Sequence, residues 1–447
     1  MPSMKKTLIG LTMWCMFFSN AMAQPNASME GGPIITVQAT KKAGDAGNST
    51  IRHEEHLGRS PNLSSIYERT IADISLIIWI YLCIMRGGFW RVRLPRPATP
   101  PLRWPSVVIV VPARNEADVI AESLSSLLRQ DYRGPCHIIV VDDHSADNTA
   151  SLAEAQARHI GLSARVTVIP ARDLPADWVG KVWAQSEGIA VATERFPDAR
   201  FLLLTDADIA HAPSMLGKLV ARAMAEQLVL TSLMVRLRCE SLAERMLIPA
   251  FVFFFAMLYP FSRVNKIGSK VAAAAGGCML LRADALDRIG GISAIKNALI
   301  DDCALAAKMK PLGPIRLDLA EDSYSLRRYE DWASIWNMIA RSAFTQLRYS
   351  PWLLAGTILA MTLTYIAPPL LALFCSSGLA WPALLAWLLM ALVYCPMLRY
   401  HRQPLWWSAL LPLTATFYLA ATVASAWRYW RGFGGQWKGR AQAIPRR

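Results

Sequence analysis

Phe201-Leu202-Leu203-Leu204-Thr205-Asp206-Ala207-Asp208 is a short apolar run that ends on two carboxylates. Four apolar residues with no polar alternation, bounded by polar and charged neighbours, read as a strand buried on both faces, the kind found in parallel sheets. The acids then stand at the strand's carboxyl end, where an open α/β sheet binds its ligands. Strand geometry carried on through them points Asp206 and Asp208 to one side. There they share a hard cation such as Mg²⁺ or Mn²⁺, with diphosphate oxygens completing the shell. A purely structural alternative stays open on these residues: an acidic turn in which Asp208 or Ser214 caps a helix begun near Pro213.

The flanking sequence repeats the pattern. Residues 106–111 form another apolar run, which leads into Pro112-Ala113-Arg114-Asn115-Glu116 and an amphipathic helix to Arg129. Residues 137–141 end in Asp142-Asp143-His144-Ser145-Ala146-Asp147-Asn148-Thr149, with Asp147 placed to cap a helix to His159. Residues 166–169 precede Asp177-Trp178-Val179-Gly180-Lys181 and a helix to Thr193. Further strands are expected over 229–237 and 278–281, the latter after Gly276-Gly277. Strands alternating with helices at this spacing predict an α/β domain: a mainly parallel, Rossmann-like sheet flanked by helices. Ile300-Asp301-Asp302-Cys303-Ala304-Leu305 opens another helix, whose two first-turn acids either compensate the helix dipole or face a substrate hydroxyl. Residues 331–349 read as one amphipathic helix carrying Trp332, Trp336, Arg341 and Arg348.

At 447 residues the chain exceeds a single core, and its apolar content is unevenly placed. Hydrophobic residues make up 53% and mean hydropathy is +0.26, yet residues 103–245 have ordinary globular composition. Residues 351–398 and 405–427 contain no Asp, Glu, Lys or Arg. Charge-free runs of about 20 residues are long enough to span a bilayer, so about three transmembrane segments are expected over 350–427, before a basic tail, 428–447. The formal charge of +14 flanks these apolar segments and forms no compact basic and aromatic module. That placement points to a membrane surface and excludes nucleic acid as the partner. The eight cysteines form no CxxC pair, which argues against a zinc site or a disulfide framework.

At the amino end, residues 1–23 combine Lys5 and Lys6, an apolar stretch and Ala21-Met22-Ala23, the pattern of a signal peptide or an extra anchor. Residues 24–65 read as a flexible lead. Residues 66–90 are expected to form a membrane anchor, its apolar stretch from Ile71 to Met85 followed by Arg86, Arg91, Arg93, Arg96 and Arg103. The positive-inside rule places that side, and with it a catalytic domain over 104–349, in the cytosol. A conflict follows. Three later spans put the tail outside, although Arg428, Arg431, Lys438, Arg440, Arg446 and Arg447 ask for the inside; a re-entrant segment at Pro368-Pro369 would restore an even count. The run 246–261 is expected either at the membrane interface or in the core.

The acid motifs at Pro112 to Glu116, Asp142 to Thr149, Asp206 to Asp208 and Asp301 to Leu305 occur in the order found in family 2 glycosyltransferases of the GT-A fold. With Gly180-Lys181-Val182-Trp183-Ala184 and the carboxyl-terminal apolar segments, the chain most resembles the hopene-associated glycosyltransferases of bacterial hopanoid pathways. That resemblance implies an inner-membrane enzyme with a cytosolic catalytic domain, using a nucleotide-sugar donor, a divalent cation (Mg or Mn) and a lipid acceptor. Pro112, Ala113, Arg114, Glu116, Asp142, Asp143 and Lys181 would hold the donor, with Asp143 on uracil. Asp206 would touch ribose or metal, Asp208 would bind metal, and Asp302, with Asp301 beside it, would supply the general base. The processive members' Gln-x-x-Arg-Trp element is matched only by Thr345-Gln346-Leu347-Arg348-Tyr349, which leaves Arg348 for the diphosphate and favours transfer of a single sugar. Rivals are a polyprenyl-phosphate sugar transferase, a polysaccharide synthase, or a non-catalytic scaffold that binds nucleotide or lipid.

Overall fold

The computed structural model describes residues 63–375, 380–432, 436–437 and 440–441. The expectations for 1–23 and for 24–62 lie outside these residues. Helix α1 (Leu63–Met85) starts inside the expected lead and stops short of residue 90. The domain that follows is built on strands β1 (Val107–Ala113), β2 (Cys136–Asp142), β3 (Val166–Pro170), β4 (Phe201–Leu204), β5 (Ile209–Ala210), β6 (Leu230–Arg236), β7 (Met279–Arg282) and β8 (Ile315–Ser325). They form one sheet in the order β3-β2-β1-β4-β7-β6-β8-β5. Strands β3, β2, β1 and β4 are parallel, β7 runs antiparallel between β4 and β6, and β8 lies parallel to β6. This is the expected GT-A-like sheet, and its β1 and β4 runs are buried along their whole length.

Helices α2 (Ile120–Leu128), α3 (Thr149–Ile160), α4 (Gly180–Arg195) and α5 (Met215–Ala225) flank the sheet. Helix α4 packs so closely that a Cβ at Gly188 would lie 2.4 Å from Val110 Cγ1 and 2.9 Å from Val141 Cγ2. Only glycine permits that approach. Strand β8 was not foreseen. Its charges hide it: Arg316 and Asp318 interrupt the apolar pattern, and both are neutralised within the fold, Arg316 by Asp318 and Glu226, Asp318 also by Arg222.

Helix α6 (Leu242–Leu258) opens with a capping box between Ser241 and Glu244. Glu244 also accepts from Tyr329 N at 2.7 Å, while at the other end Arg86 donates to the carbonyls of Met257 and Leu258, each at 2.9 Å. Both ends are thus tied to the sheet domain and its margin. Phe253 and Phe254 meet Tyr394, Tyr365 and Tyr418, so the helix lies as a floor between the sheet and the carboxyl-terminal helices, packed in the core on both sides. Helix α7 (Asp301–Met309) starts at the expected acids. The single helix expected over 331–349 is instead two, α8 (Trp332–Ala340) and α9 (Ala343–Gln346). The chain bends at Ser342 because Phe344 turns to pack on Tyr429 and Trp430, with its N–H donated to Ser425 Oγ.

Among the described residues, four helical segments are long and apolar enough to cross a membrane: Leu242–Val264, Pro351–Phe374 (α10), Trp381–Tyr400 (α11) and Leu405–Trp430, whose α-helical part is Leu411–Trp430 (α12). Helix α10 does not reverse at Pro368-Pro369. It passes through a π-helical turn at Thr362–Ile366, and the carbonyls of Leu363 and Thr364, which proline leaves without helical donors, accept from Ser75 Oγ and Trp79 Nε1 of α1 at 2.7 and 2.8 Å. The chain doubles back elsewhere. Tyr400, ending α11, donates to Ala320 O of the sheet at 2.6 Å, and Arg428, near the end of α12, donates to Asn337 of α8 at 2.9 Å. Two successive helices therefore finish against the same domain. The link between them runs back along α11, because Trp387 Nε1 donates to Ala409 O at 3.2 Å. Trp387 lies about 20 Å down the helix from Tyr400 at the standard rise per residue.

Candidate active site

The loops that follow β1, β2 and β4 meet the start of α7 and the segment after β8. Pro112 and Ala113 end β1 in register with Val141 and Asp142, and Ala113 O accepts from Asp143 N at 2.8 Å. Arg114 reaches across to the carbonyls of Asp143 and His144, and its guanidinium stands 3.8 Å from the fully buried Asp143 carboxylate. Asn115 takes a left-handed φ of 50°, which lets its N–H meet Ser145 Oγ at 3.0 Å and its Oδ1 accept from Ala146 N at 2.8 Å. Glu116 N donates to Thr149 Oγ1 at 2.9 Å, and Asp142 accepts from the Ser145 hydroxyl. The two motifs form one clasp.

At the sheet centre, Asp206 and Asp208 lie in the tight turn between β4 and β5 and do not continue the strand. They face different partners. Lys181 Nζ, from the first turn of α4, lies 2.8 Å from Asp206 Oδ1 and 3.4 Å from Asp301 Oδ2. Arg327 Nε lies 3.0 Å from Asp208 Oδ2, and its Nη2 lies 3.3 Å from Glu116 Oε1. Arg327 thereby joins the clasp to the acid turn. The capping alternative fails, since helix α5 begins at Met215 and Ser214 makes no side-chain cap bond.

Asp302 Oδ2 accepts from Gly276 N at 2.9 Å, and Oδ1 accepts from Cys303 N at 2.7 Å. A Cβ on Gly276 would stand 3.1 Å from Lys181 Nζ and 3.5 Å from Asp302 Oδ2, so glycine leaves room for this meeting. Burial and then the Asp301 charge push the Asp302 carboxyl up to about 6, against the pull of Lys181 and two backbone N–H groups. For Asp206, burial acts upward, but Lys181, Arg327 and Arg341 outweigh it and hold the carboxyl below its usual range. Lys181 is raised despite its burial by Asp206 and Asp301, and Arg327 likewise by Asp208. Acids with opposed shifts in one cleft are the arrangement expected of a catalytic centre.

A raised carboxyl has a defined sign. Asp302 prefers its proton in the folded protein, so its contribution to stability is present below the ordinary aspartate range and lost as pH rises through about 6. A base must be ionised to act. Transfer by this site is therefore expected to climb as pH rises through about 6, with a flat response between 5 and 7 ruling Asp302 out.

The structure brings together Pro112, Ala113, Arg114, Glu116, Asp142, Asp143, Lys181, Asp206, Asp208, Asp301 and Asp302. It does not bring Arg348. That residue is exposed, with a left-handed φ of 52°, in the turn after α9, while Arg341 is the cation from this region whose field reaches Asp206. Arg327 and Gln185, whose Nε2 lies 3.5 Å from Asp301 Oδ2, escaped the motif reading. Arg327 follows an unrecognised strand, so its sequence neighbourhood held no sign of a cleft.

Residues 108–290 match the glycosyl transferase family 2 model. The family 2 segment runs from β1 past β7 and stops before Asp302 and Arg327, whose place beside it rests on the geometry above. An N-acetylglucosaminyltransferase of Rhizobium leguminosarum bv. viciae is 34% identical over 157 residues, which is 34% of this chain and 34% of that protein. The match thus spans about a third of the relative. Among solved structures, the mannosyltransferase PcManGT from Pyrobaculum calidifontis, in complex with GDP-Man and Mn²⁺, is 18% identical with a TM-score of 0.48, over 81% of this chain and 98% of that one. Residues 1–349 of S. aureus TarS, in complex with UDP-GlcNAc, are 15% identical with a TM-score of 0.36, over 73% and 92% of the two chains.

Proposed function

We propose that the protein transfers one sugar, with inversion, from a nucleotide-diphosphate donor, UDP-linked in the first instance, to a lipid hydroxyl at the cytosolic face of a bacterial inner membrane. The observation that carries this is the double bridge in the cleft: Lys181 between Asp206 and Asp301, and Arg327 between Asp208 and Glu116. Each acid that would meet a diphosphate or its metal already faces a cation. Two hard carboxylates are the complement a Mg²⁺ or Mn²⁺ ion takes when diphosphate oxygens supply the rest, so Asp206 and Asp208 fit such an ion. When bound, it neutralises charge developing on the leaving diphosphate.

The chain's own residues supply the remainder. The clasp of residues 112–116 and 142–149 holds the nucleoside, with Asp143 at its buried base. Asp302 is fixed by two backbone N–H groups and removes the acceptor hydroxyl proton as that oxygen attacks the anomeric carbon. A single in-line displacement inverts that carbon. Lys181 and Arg327 are placed to turn from their acids toward the diphosphate oxygens as these arrive.

A lipid acceptor is supported by what borders the base. Tyr259, just past the end of α6, lies against Cys303 and within the field of Asp302, and bonds to Gln346 of α9. The base thus adjoins the apolar helices. Among lipids, a polycyclic isoprenoid of the hopanoid type is the acceptor that the motif resemblance supports. Membranes holding the protein, supplied with labelled UDP-sugars and Mn²⁺, are expected to place label in the organic-extractable lipid as a single-sugar product. Label confined to free sugar, or found in a polymer, would overturn this reading.

The doubled-back link before α12 supports a carboxyl tail on the catalytic side, which agrees with its basic residues. In a cysteine-depleted background, Arg431→Cys and Glu154→Cys are expected to react with an impermeant thiol reagent from the same side, and Trp381→Cys from the other. Reaction of Arg431→Cys together with Trp381→Cys would refute that topology.

A further inference from the structure

A second large hollow lies away from the acid cleft, where the end of α1 meets the amino-terminal edges of β8 and the end of α5. It has a volume of about 1670 Å³ and is walled by Ile84, Trp90, Arg91, Arg93, Arg96 and Phe261 among others. Its lining also holds Arg222, Arg316, Glu226 and Asp318. These four cancel. Arg316 lies 2.8 Å from Glu226 and 2.7 Å from Asp318, and Arg222 lies 3.7 and 3.6 Å from the same two acids. Arg91, Arg93 and Arg96 are exposed, and among the described residues no carboxylate forms an ion pair with them. The lining therefore carries an uncompensated charge from these three arginines.

The same rim is apolar. Ile84 is 71% exposed, Met85 59% and Leu94 45%, and the Arg91 guanidinium stacks over Trp90 at 5.0 Å. From Arg86 to Asn115 the sequence contains no Asp or Glu. Large apolar side chains, a tryptophan and unpaired arginines at the end of a helix packed among apolar helices are the composition of a membrane-water boundary.

We infer that this hollow is a docking site for the phosphate headgroup of an anionic phospholipid of the surrounding leaflet, gripped by Arg91, Arg93 and Arg96 while Ile84, Met85 and Leu94 enter the boundary layer. Arginine matches a phosphate with paired donors, and basic residues near an anionic leaflet each add to the attraction. Electroneutral Arg222, Arg316, Glu226 and Asp318 form the rigid back wall and tie Arg96 in place, since Arg222 donates to the Arg96 carbonyl. The bound lipid would fix the height of the sheet domain above the bilayer. None of the acids of the active site takes part, so the inference stands or falls separately from the transferase reading.

The test uses the full chain in nanodiscs of phosphatidylcholine alone and of phosphatidylcholine mixed with phosphatidylglycerol. Hydrogen exchange of residues 86–103 and the lipids retained in native mass spectrometry are read for wild type, for R91Q/R93Q/R96Q and for R91K/R93K/R96K. Wild type is expected to retain phosphatidylglycerol and to slow exchange at residues 91–96 only in the mixed discs. The glutamine variant is expected to lose about tenfold in that retention, with exchange elsewhere unchanged, and the lysine variant to keep most of it. Equal retention by wild type and the glutamine variant would overturn the inference. So would slowed exchange produced in phosphatidylcholine discs by inorganic phosphate alone, which would assign the hollow to a soluble anion.

Discussion

Asp302→Asn is expected to lower sugar transfer by about 10³-fold while leaving donor affinity within a factor of about two. The amide keeps the shape of the side chain and still accepts from one of the two backbone N–H groups that now fix Asp302, but it takes no proton. Loss confined to turnover is the signature of a group used in the transition state. The variant also removes a carboxyl whose proton affinity burial and Asp301 have raised, so it is expected to unfold at a higher temperature than wild type near pH 7. Single-turnover transfer and donor titration on the same preparation separate the two effects. Turnover retained within tenfold would remove Asp302 as the base.

Lys181→Met is expected to be the most destabilising single change in the cleft. The Lys181 side chain is 16% exposed and its ammonium serves Asp206 and Asp301 together. Methionine fills the same space and leaves both carboxylates facing each other without a cation. Removing one partner from a largely buried pair costs about 3 kcal/mol. That cost is expected to shrink as pH falls, because the orphaned carboxyls then take up protons. Asp302 also loses a charge that holds its carboxyl down, so the activity of the variant, where measurable, is expected to rise at a higher pH than in wild type. Denaturant unfolding at pH 7 and pH 5 checks the first point. An unchanged midpoint at both would show that the ammonium is not what keeps these acids together.

The parallel half of the sheet was legible because its strands are uniform. The runs in β1 and β4 are buried along their whole length and carry no polar residue to blur the pattern, and β2 holds a buried apolar run of the same kind in Ile138 to Val141. Strand β8 defeats that rule, since Arg316 and Asp318 are paired inside the fold and look from the sequence like loop residues. The site divides in the same way. Acids at strand ends and at the first turn of α7 announced themselves by position, and the cleft gathers all of them. Arg327 did not, because an ion pair with Asp208 across 119 positions of chain leaves no local trace. Asp206 and Asp208 do follow the carboxyl end of β4, but a turn, not strand alternation, sets where each points. Arg348 was chosen by motif spacing, whereas Arg341 is the cation whose field reaches Asp206, and Arg348 stands in a solvent-exposed turn. Counting apolar runs also misses that 405–410 and the helix after it, which read as one span, double back on each other.

The measurement closest to the central claim is calorimetric titration of UDP and GDP into the detergent-purified full chain, with Mn²⁺ and after chelation, for wild type and Asp208→Asn. Binding of at least one nucleotide that needs the metal, and is lost in Asp208→Asn, is the predicted result. Nucleotide binding that is indifferent both to the chelator and to Asp208, or no binding under any condition, would contradict it.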